Sequence, residues 1–162
     1  MKKRSDTKRS PAPPSLVYFV DRSLGRGPVA KAIRDAGFQV ELMDDHFAQD
    51  ADDSDWIPVV AAHDWIIVTR DRRILFNPVE RAALERSGAH YIAVVAKDQS
   101  GAQMGSAVGA WIGRINSTIS AAGVPTWFRV RMNEAQILLQ GNWSPLRVMH
   151  SNPKRWRTGR FK

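Results

Sequence analysis

The chain contains two continuous apolar runs, Leu16-Val17-Tyr18-Phe19-Val20 and Trp65-Ile66-Ile67-Val68-Thr69, each followed within two residues by an aspartate. A run this short matches a strand covered on both faces better than a buried helix. Strands of that kind belong to parallel sheets, whose crossover connections are usually helices. Helical stretches do stand between the runs. Pro28, after Gly25-Arg26-Gly27, suits a first helical position; Val29, Ile33 and Ala36 share one face, and Gly37 suits the stop. Phe38 to Met43 reads as a second strand, with Phe38, Val40 and Leu42 alternating. A short helix is expected from about Asp55 to His63, with Pro58 in its first turn, since a deeper proline would remove a backbone hydrogen bond. Asn77-Pro78-Val79-Glu80 combines a cap residue, a first-position proline and a capping-box acid, and the helix it opens should end near Gly88.

His90 to Ala96 is expected as a fourth strand, and Thr126 to Met132 as the last. Between them Met104, Val108, Trp111, Ile115 and Ile119 form one stripe of a longer helix. We read that stripe as core; the alternative is a surface for a second copy of the chain or for another protein. The alternation of strands and helices predicts a three-layer α/β domain with a mostly parallel central sheet.

Ligands of such sheets sit at the carboxyl ends of the strands. Asp21, Asp44/Asp45 and Asp71 follow three successive strands there and should converge. Carboxylates brought together repel, so a cation is the natural companion. Oxygen-only donors suit Mg²⁺ or Mn²⁺, which can activate water and neutralise a phosphate. Asp44, Asp45, Asp50, Asp52, Asp53 and Asp55 crowd one loop, and no Lys or Arg lies between Arg34 and Arg70 to neutralise it locally. Asp53 or Asp55 either joins the site or caps the short helix.

Other chemistries fall away. Gly25-x-Gly27 lacks the third glycine of a dinucleotide site, and no phosphate loop or G-x-S-x-G elbow is present. His46, His63, His90 and His150 show no zinc spacing, and only His46 lies beside the aspartates. The chain has no cysteine, which fits a reducing cytoplasm. No apolar run approaches the roughly 20 residues of a membrane span, and the basic start leads into no secretory leader.

The 162 residues suit one domain with tails: a disordered, basic, proline-rich stretch 1–15, a domain 16–141 and a basic tail 142–162. Eleven of the 24 Lys and Arg lie in the two tails, leaving 13 in the body against 15 of the 16 acids. A slightly acidic body with basic tails suits cation binding in the body and polyanion binding by the tails. Trp143, Trp156 and Phe161 among the tail arginines would stack on bases, pack on the body or contact a protein partner.

Phe19-Val20-Asp21-Arg22-Ser23-Leu24-Gly25-Arg26, Ala36-Gly37-Phe38, Asp44-Asp45-His46-Phe47, Asp53-Ser54-Asp55-Trp56 and Thr69-Arg70-Asp71-Arg72-Arg73-Ile74 together resemble PIN-like domains of the VapC-related toxin type, over roughly residues 16–96. The resemblance implies a Mg²⁺-dependent ribonuclease, the toxin of a toxin–antitoxin pair, with RNA as substrate and a cognate antitoxin as partner. It places the family's acids on Asp21, Asp45, the pair Asp53 and Asp55, and Asp71. Asp55 stands where the family carries a longer Glu, and a helix glutamate of the family has no counterpart here. On this reading Asp21, Asp45 and Asp71 bind metal, and Asp53 or Asp55 completes the shell or positions water. Arg22, Arg26, Arg70 and Arg73, with Arg155 and Arg157 of the tail, hold the RNA backbone. The rival is a non-catalytic RNA- or ribosome-binding module on the same fold.

Overall fold

The computed structural model describes residues 15–139 and 141–146. Strands β1 (Val17–Val20), β2 (Gln39–Leu42), β3 (Ile66–Thr69), β4 (Tyr91–Val94) and β5 (Trp127–Val130) run parallel in the order β2-β1-β3-β4-β5. Two further strands, β6 (Ala135–Leu139) and β7 (Asn142–Pro145), extend the β5 edge antiparallel. The helices are α1 (Pro28–Asp35), α2 (Asp53–Ala62), α3 (Arg73–Phe76), α4 (Pro78–Ser87) and α5 (Gly101–Ala122). The mostly parallel sheet with helices on both faces is the three-layer arrangement that the strand–helix alternation predicts.

Alternation along each strand divides the apolar residues between two cores. Tyr18, Val20, Val68 and Ile92 meet Ile33 of α1 and Val108, Ile112 and Ile115 of α5 on one face. Phe19, Ile67 and Tyr91 meet Trp56, Ile57 and Val60 of α2 and Leu84 of α4 on the other. Both faces are dry, which is why these strands are apolar at every position. Each such side chain contributes about 1.5–3 kcal/mol by leaving water. On the first face α1 and α5 approach to backbone contact: a Cβ placed on Gly105 would stand 2.7 Å from the Pro28 carbonyl oxygen.

Local signals explain the helix ends. Asn77 caps α4 by accepting from the amides of Val79 at 3.0 Å and Glu80 at 3.4 Å, and Gly88 ends the helix with φ +73°. The Ser100 hydroxyl caps α5 and Gln103 returns a bond to the Ser100 amide, so the long helix starts on a complete capping box.

Four features differ from the sequence reading. Helix α2 begins at Asp53, so Pro58 is its sixth residue rather than part of its first turn. The Ser54 carbonyl that Pro58 cannot serve belongs to an exposed residue, where water can replace the missing amide. Trp111 is only half-buried, with the Arg114 guanidinium 4.8 Å from its ring centre, while Ile112 is fully buried in its place. The one-turn helix α3 was not expected. The sheet also continues through Pro145 and Leu146 is buried, so the segment from Asn142 to Leu146 is part of the folded body rather than tail. No helix among the described residues is long and apolar enough to cross a membrane.

Candidate acidic site at the strand ends

The connection after β1 leads outward to β2 on one side, and the chain then crosses back to place β3 on the other side of β1. That reversal opens a crevice at the carboxyl ends of β1 and β3. Asp21 and Asp71 stand there. The Asp21 amide donates to the Val68 carbonyl at 2.9 Å, which ties the end of β1 to β3 and leaves the Asp21 side chain at the crevice, nearly buried.

Two hydroxyls hold this carboxylate. Ser23 Oγ and Thr69 Oγ1 each donate to Asp21 Oδ2 at 2.6 Å. The same hydroxyl oxygens accept in turn, Thr69 Oγ1 from the Asp71 amide at 3.0 Å and Ser23 Oγ from the Arg70 amide at 3.2 Å. Charge-assisted bonds of this length fix an anion in one orientation. The sequence carried a signal for both residues, a small hydroxyl two positions from a strand-end acid in Asp21-x-Ser23 and Thr69-x-Asp71, but their supporting role becomes apparent only in three dimensions.

Asp71 is held from two sides. Tyr91 Oη donates to its carbonyl oxygen at 2.5 Å. Burial, and then the charges of Asp71, Asp21 and Asp53, push the Tyr91 hydroxyl far above its ordinary range, so it remains a donor. Arg73 clamps the Asp71 carboxylate, with its Nε 3.1 Å from Oδ1 and its Nη2 2.7 Å from Oδ2, and its amide adds a bond at 2.9 Å. That clamp holds the Asp71 carboxyl below the usual carboxylate range.

Asp53 reaches the same crevice from the first residue of α2. The Trp56 indole donates to its Oδ1 at 3.0 Å. Its pKa is raised by burial first, and the negative charges of Asp71 and Asp21 add to the shift. Asp53 thus feels the charges of both other acids, although the three come from three separate elements. The described bonds use Asp21 Oδ2 and Asp53 Oδ1, which leaves the second oxygen of each carboxylate without one among the described residues.

The other acids are engaged elsewhere. Asp45 pairs with Arg26 at 2.9 Å, and Asp44 with Arg22 at 3.4 Å and Arg26 at 3.7 Å. Arg22 Nη2 also donates to the carbonyls of Phe47 at 3.3 Å and Ala48 at 2.9 Å, bolting the loop down. Asp44 and Asp45 are therefore neutralised by arginines that follow β1, which corrects for these two the expectation that no nearby cation does so. Asp55 Oδ2 accepts from the Asp52 amide at 3.3 Å, returning to the start of its own helix. His46 stands 2.7 Å from Glu41. Arg70 Nη2 donates to the Ala96 carbonyl at 2.9 Å. Arg155, Arg157, Trp156, Phe161 and His150 lie outside the described residues.

Among the described residues no three His, Asp or Glu side chains stand as a ready metal cage. Arg73 engages the Asp71 carboxylate, and the donor chemistry of the crevice suits a hard cation: oxygen-only, like-charged, with one unbonded oxygen on each of Asp21 and Asp53 among the described residues. A hollow of about 520 Å³ between α1 and α5 lies away from these acids.

A charge test follows from the Asp53 environment. An acid whose folded pKa exceeds its unfolded one favours folding most when protonated, below the usual carboxylate range, and that contribution is lost as pH rises through the raised value. Asp71 has the opposite sign, stabilising above that range and losing its contribution as pH falls. In EDTA, the Asp53→Asn protein should therefore melt higher than the parent at pH 7, with the gap closing as pH falls toward about 4. Asn can still accept the Trp56 bond. Calorimetry showing a gap independent of pH would assign the effect to packing instead.

The chain matches the model of the family described as PIN like domain over residues 16–96. It is 39% identical over 84 residues to a Mycobacterium tuberculosis protein named "Putative ribonuclease VapC45", an alignment covering 49% of this chain and 61% of that protein. The chain thus spans less than two thirds of the length of that relative. No solved structure matches. The family match begins one residue before β1 and ends two residues after β4, so it encloses the strand ends that carry Asp21 and Asp71 and the helix that carries Asp53. On that match and the sheet that frames it, this chain belongs to the PIN-like domain family.

Proposed function

We propose that the chain is a divalent-cation-dependent ribonuclease of the VapC type, cleaving phosphodiester bonds at the crevice of Asp21, Asp53 and Asp71. The observation that carries this reading is the placement of Asp21 and Asp71 after neighbouring strands at the switch point of the sheet, with Asp53 of α2 near enough to feel the charge of both. The related protein named as a ribonuclease supports RNA as the substrate. The likeness extends to the toxin of a toxin–antitoxin pair, with a cognate antitoxin as partner and the cytoplasm as the place of action.

Asp21 and Asp53 would hold Mg²⁺ or Mn²⁺ through the oxygens that carry no bond here, and Asp71 would join once Arg73 releases it. Bound there, the cation supplies charge neutralisation at the scissile phosphate and an acidified water. Ser23 and Thr69 keep the Asp21 carboxylate aimed. Asp53, oriented by the Trp56 indole, would complete the shell or position the attacking water. Arg73 is largely exposed and can exchange the Asp71 carboxylate for a phosphate of the incoming strand. Asp45 and Asp55, tied to Arg26 and Asp52, take a supporting place at the rim.

A non-catalytic RNA-binding module has one observation in its favour, the occupation of both Asp71 oxygens by Arg73. Incubation of the full chain with single-stranded RNA separates the two. We expect no cleavage in EDTA and restored cleavage on adding excess Mg²⁺ or Mn²⁺. RNA that is bound yet stays intact with either cation would establish the module instead.

A further inference from the structure

Beyond the crevice, the side of β5, β6 and β7 that continues the second core is only partly covered by α4, whose Arg81 guanidinium stands 5.5 Å from the centre of the Trp127 ring. In β5, Trp127 and Arg129 point to the side of the second core, and the register sets Gln136 opposite Arg129 and Leu138 opposite Trp143 on that side. Helix α4 stops short of this edge, leaving a hollow of about 270 Å³ between Arg81 and Glu85 and the Trp127 and Leu138 side of the sheet. Gln136, Leu138 and Trp143 remain half-buried.

Arg129 is built into this face. Its guanidinium lies 4.5 Å from the centre of the Trp143 ring. Its Nε donates to Gln136 Oε1, so the remaining N–H donors all sit on the outer Nη edge. A guanidinium seated over an indole offers a cation and a planar group to an unpaired base, and an edge that matches a phosphate. The local charge is positive on balance, with Arg131 standing 3.8 Å from Glu134. Arg129 is flanked by Arg131 and by Arg72, with Glu134 as the opposing acid, and burial together with those two cations disfavours its charged form. Arg72 directly follows Asp71, and β3 and β5 are separated only by β4, a distance of roughly 10 Å.

We propose that the open face of β5, β6 and β7 is a track for single-stranded RNA, on which Arg129, held over Trp143 and tied to Gln136, contacts the strand leading through Arg72 to Asp71. The inference rests on the ribonuclease reading, whose substrate path it describes. A polyanion relieves the repulsion among the three arginines, and the planar Trp143–Arg129 pair suits unpaired bases, whose faces a duplex hides. Arg129 is the contact; Trp143 and Gln136 are positioning residues.

The test is anisotropy binding of a labelled 12-nucleotide single-stranded RNA to the full chain in EDTA, where no cleavage interferes. Arg129→Gln should weaken binding by about tenfold and flatten the salt dependence by about 0.7 in log–log slope. Trp143→Leu should weaken it to a similar degree, and Trp143→Phe, which keeps a ring under the guanidinium, should bind close to the parent. A purely structural Trp143 would instead show in the melting temperature with RNA affinity unchanged. Should Trp143→Leu fail to fold, the outward-facing Arg129→Gln decides alone. Folded variants that bind as the parent does overturn the track, even if the parent cuts RNA with Mg²⁺. Variants that lose self-association in sedimentation while keeping RNA affinity also overturn it, and make the face an interface between copies. A parent that binds through Arg129 but never cleaves leaves the track standing and removes the nuclease reading.

Discussion

An Asp21→Asn protein should lose RNA cleavage by about 10²–10³-fold or more, while melting within a few degrees of the parent. The substitution removes one charge from the crevice but keeps a side-chain oxygen that can still accept from Ser23 and Thr69, at 2.6 Å each in the parent. Removal of the charge also relieves repulsion with Asp53 and Asp71, so the metal-free protein has no electrostatic reason to weaken. Rate measurements with saturating Mg²⁺, paired with melts in EDTA, separate the two effects. If activity persists at the parental rate, Asp21 is outside the reaction; if activity and melting temperature fall together, its role is to hold β1 to β3.

The second large effect concerns the core. Ile112→Ala should cost about 2–5 kcal/mol, because Ile112 is fully buried between α5 and the sheet. Trp111→Ala should cost clearly less despite removing more atoms, since Trp111 is half-buried and leans on Arg114. Urea unfolding of both variants gives the comparison directly. The reverse ranking would mean that Trp111, not Ile112, anchors the helix, as the heptad-like spacing first suggested.

The contrast shows where sequence was informative. Strands β1, β3 and β4 were legible because burial on both faces demands apolar residues at every position, and Asp21 and Asp71 were legible because parallel strands present their carboxyl ends to ligands. The α5 stripe was legible to within one residue; periodicity cannot distinguish Trp111 from Ile112 when both are apolar and adjacent. The hairpin β6–β7 was not legible. Its strands are short, β7 includes an edge proline, and the basic residues that follow invited a tail reading. The partners of the acidic loop were hidden for another reason: Arg26 meets Asp45 across 19 positions, and such pairings follow from the turn after β1 and the placement of β2 rather than from local composition. Asp53 shows both limits. Its place near the site was visible in the acidic loop, whereas its separation from Asp55, which turns back to its own helix, depends on where α2 begins.

The α1–α5 contact has a consequence for how much of this chain constitutes a folding unit. The family match ends at residue 96, yet α5 and the strands after it supply Val108, Ile112, Ile115, Ile119, Phe128, Val130 and Ile137 to the first core. Gly105 lets α5 settle onto Pro28, so the helix carrying that core is keyed to the first helix of the chain. An excised 16–96 segment would keep the acids in order along the polypeptide but leave one side of its sheet covered by α1 alone and β4 with an unpaired edge. Open edges and bare apolar faces of that kind recruit other chains. The acidic motif and the length of chain that covers both faces of its sheet are therefore different stretches of the same sequence.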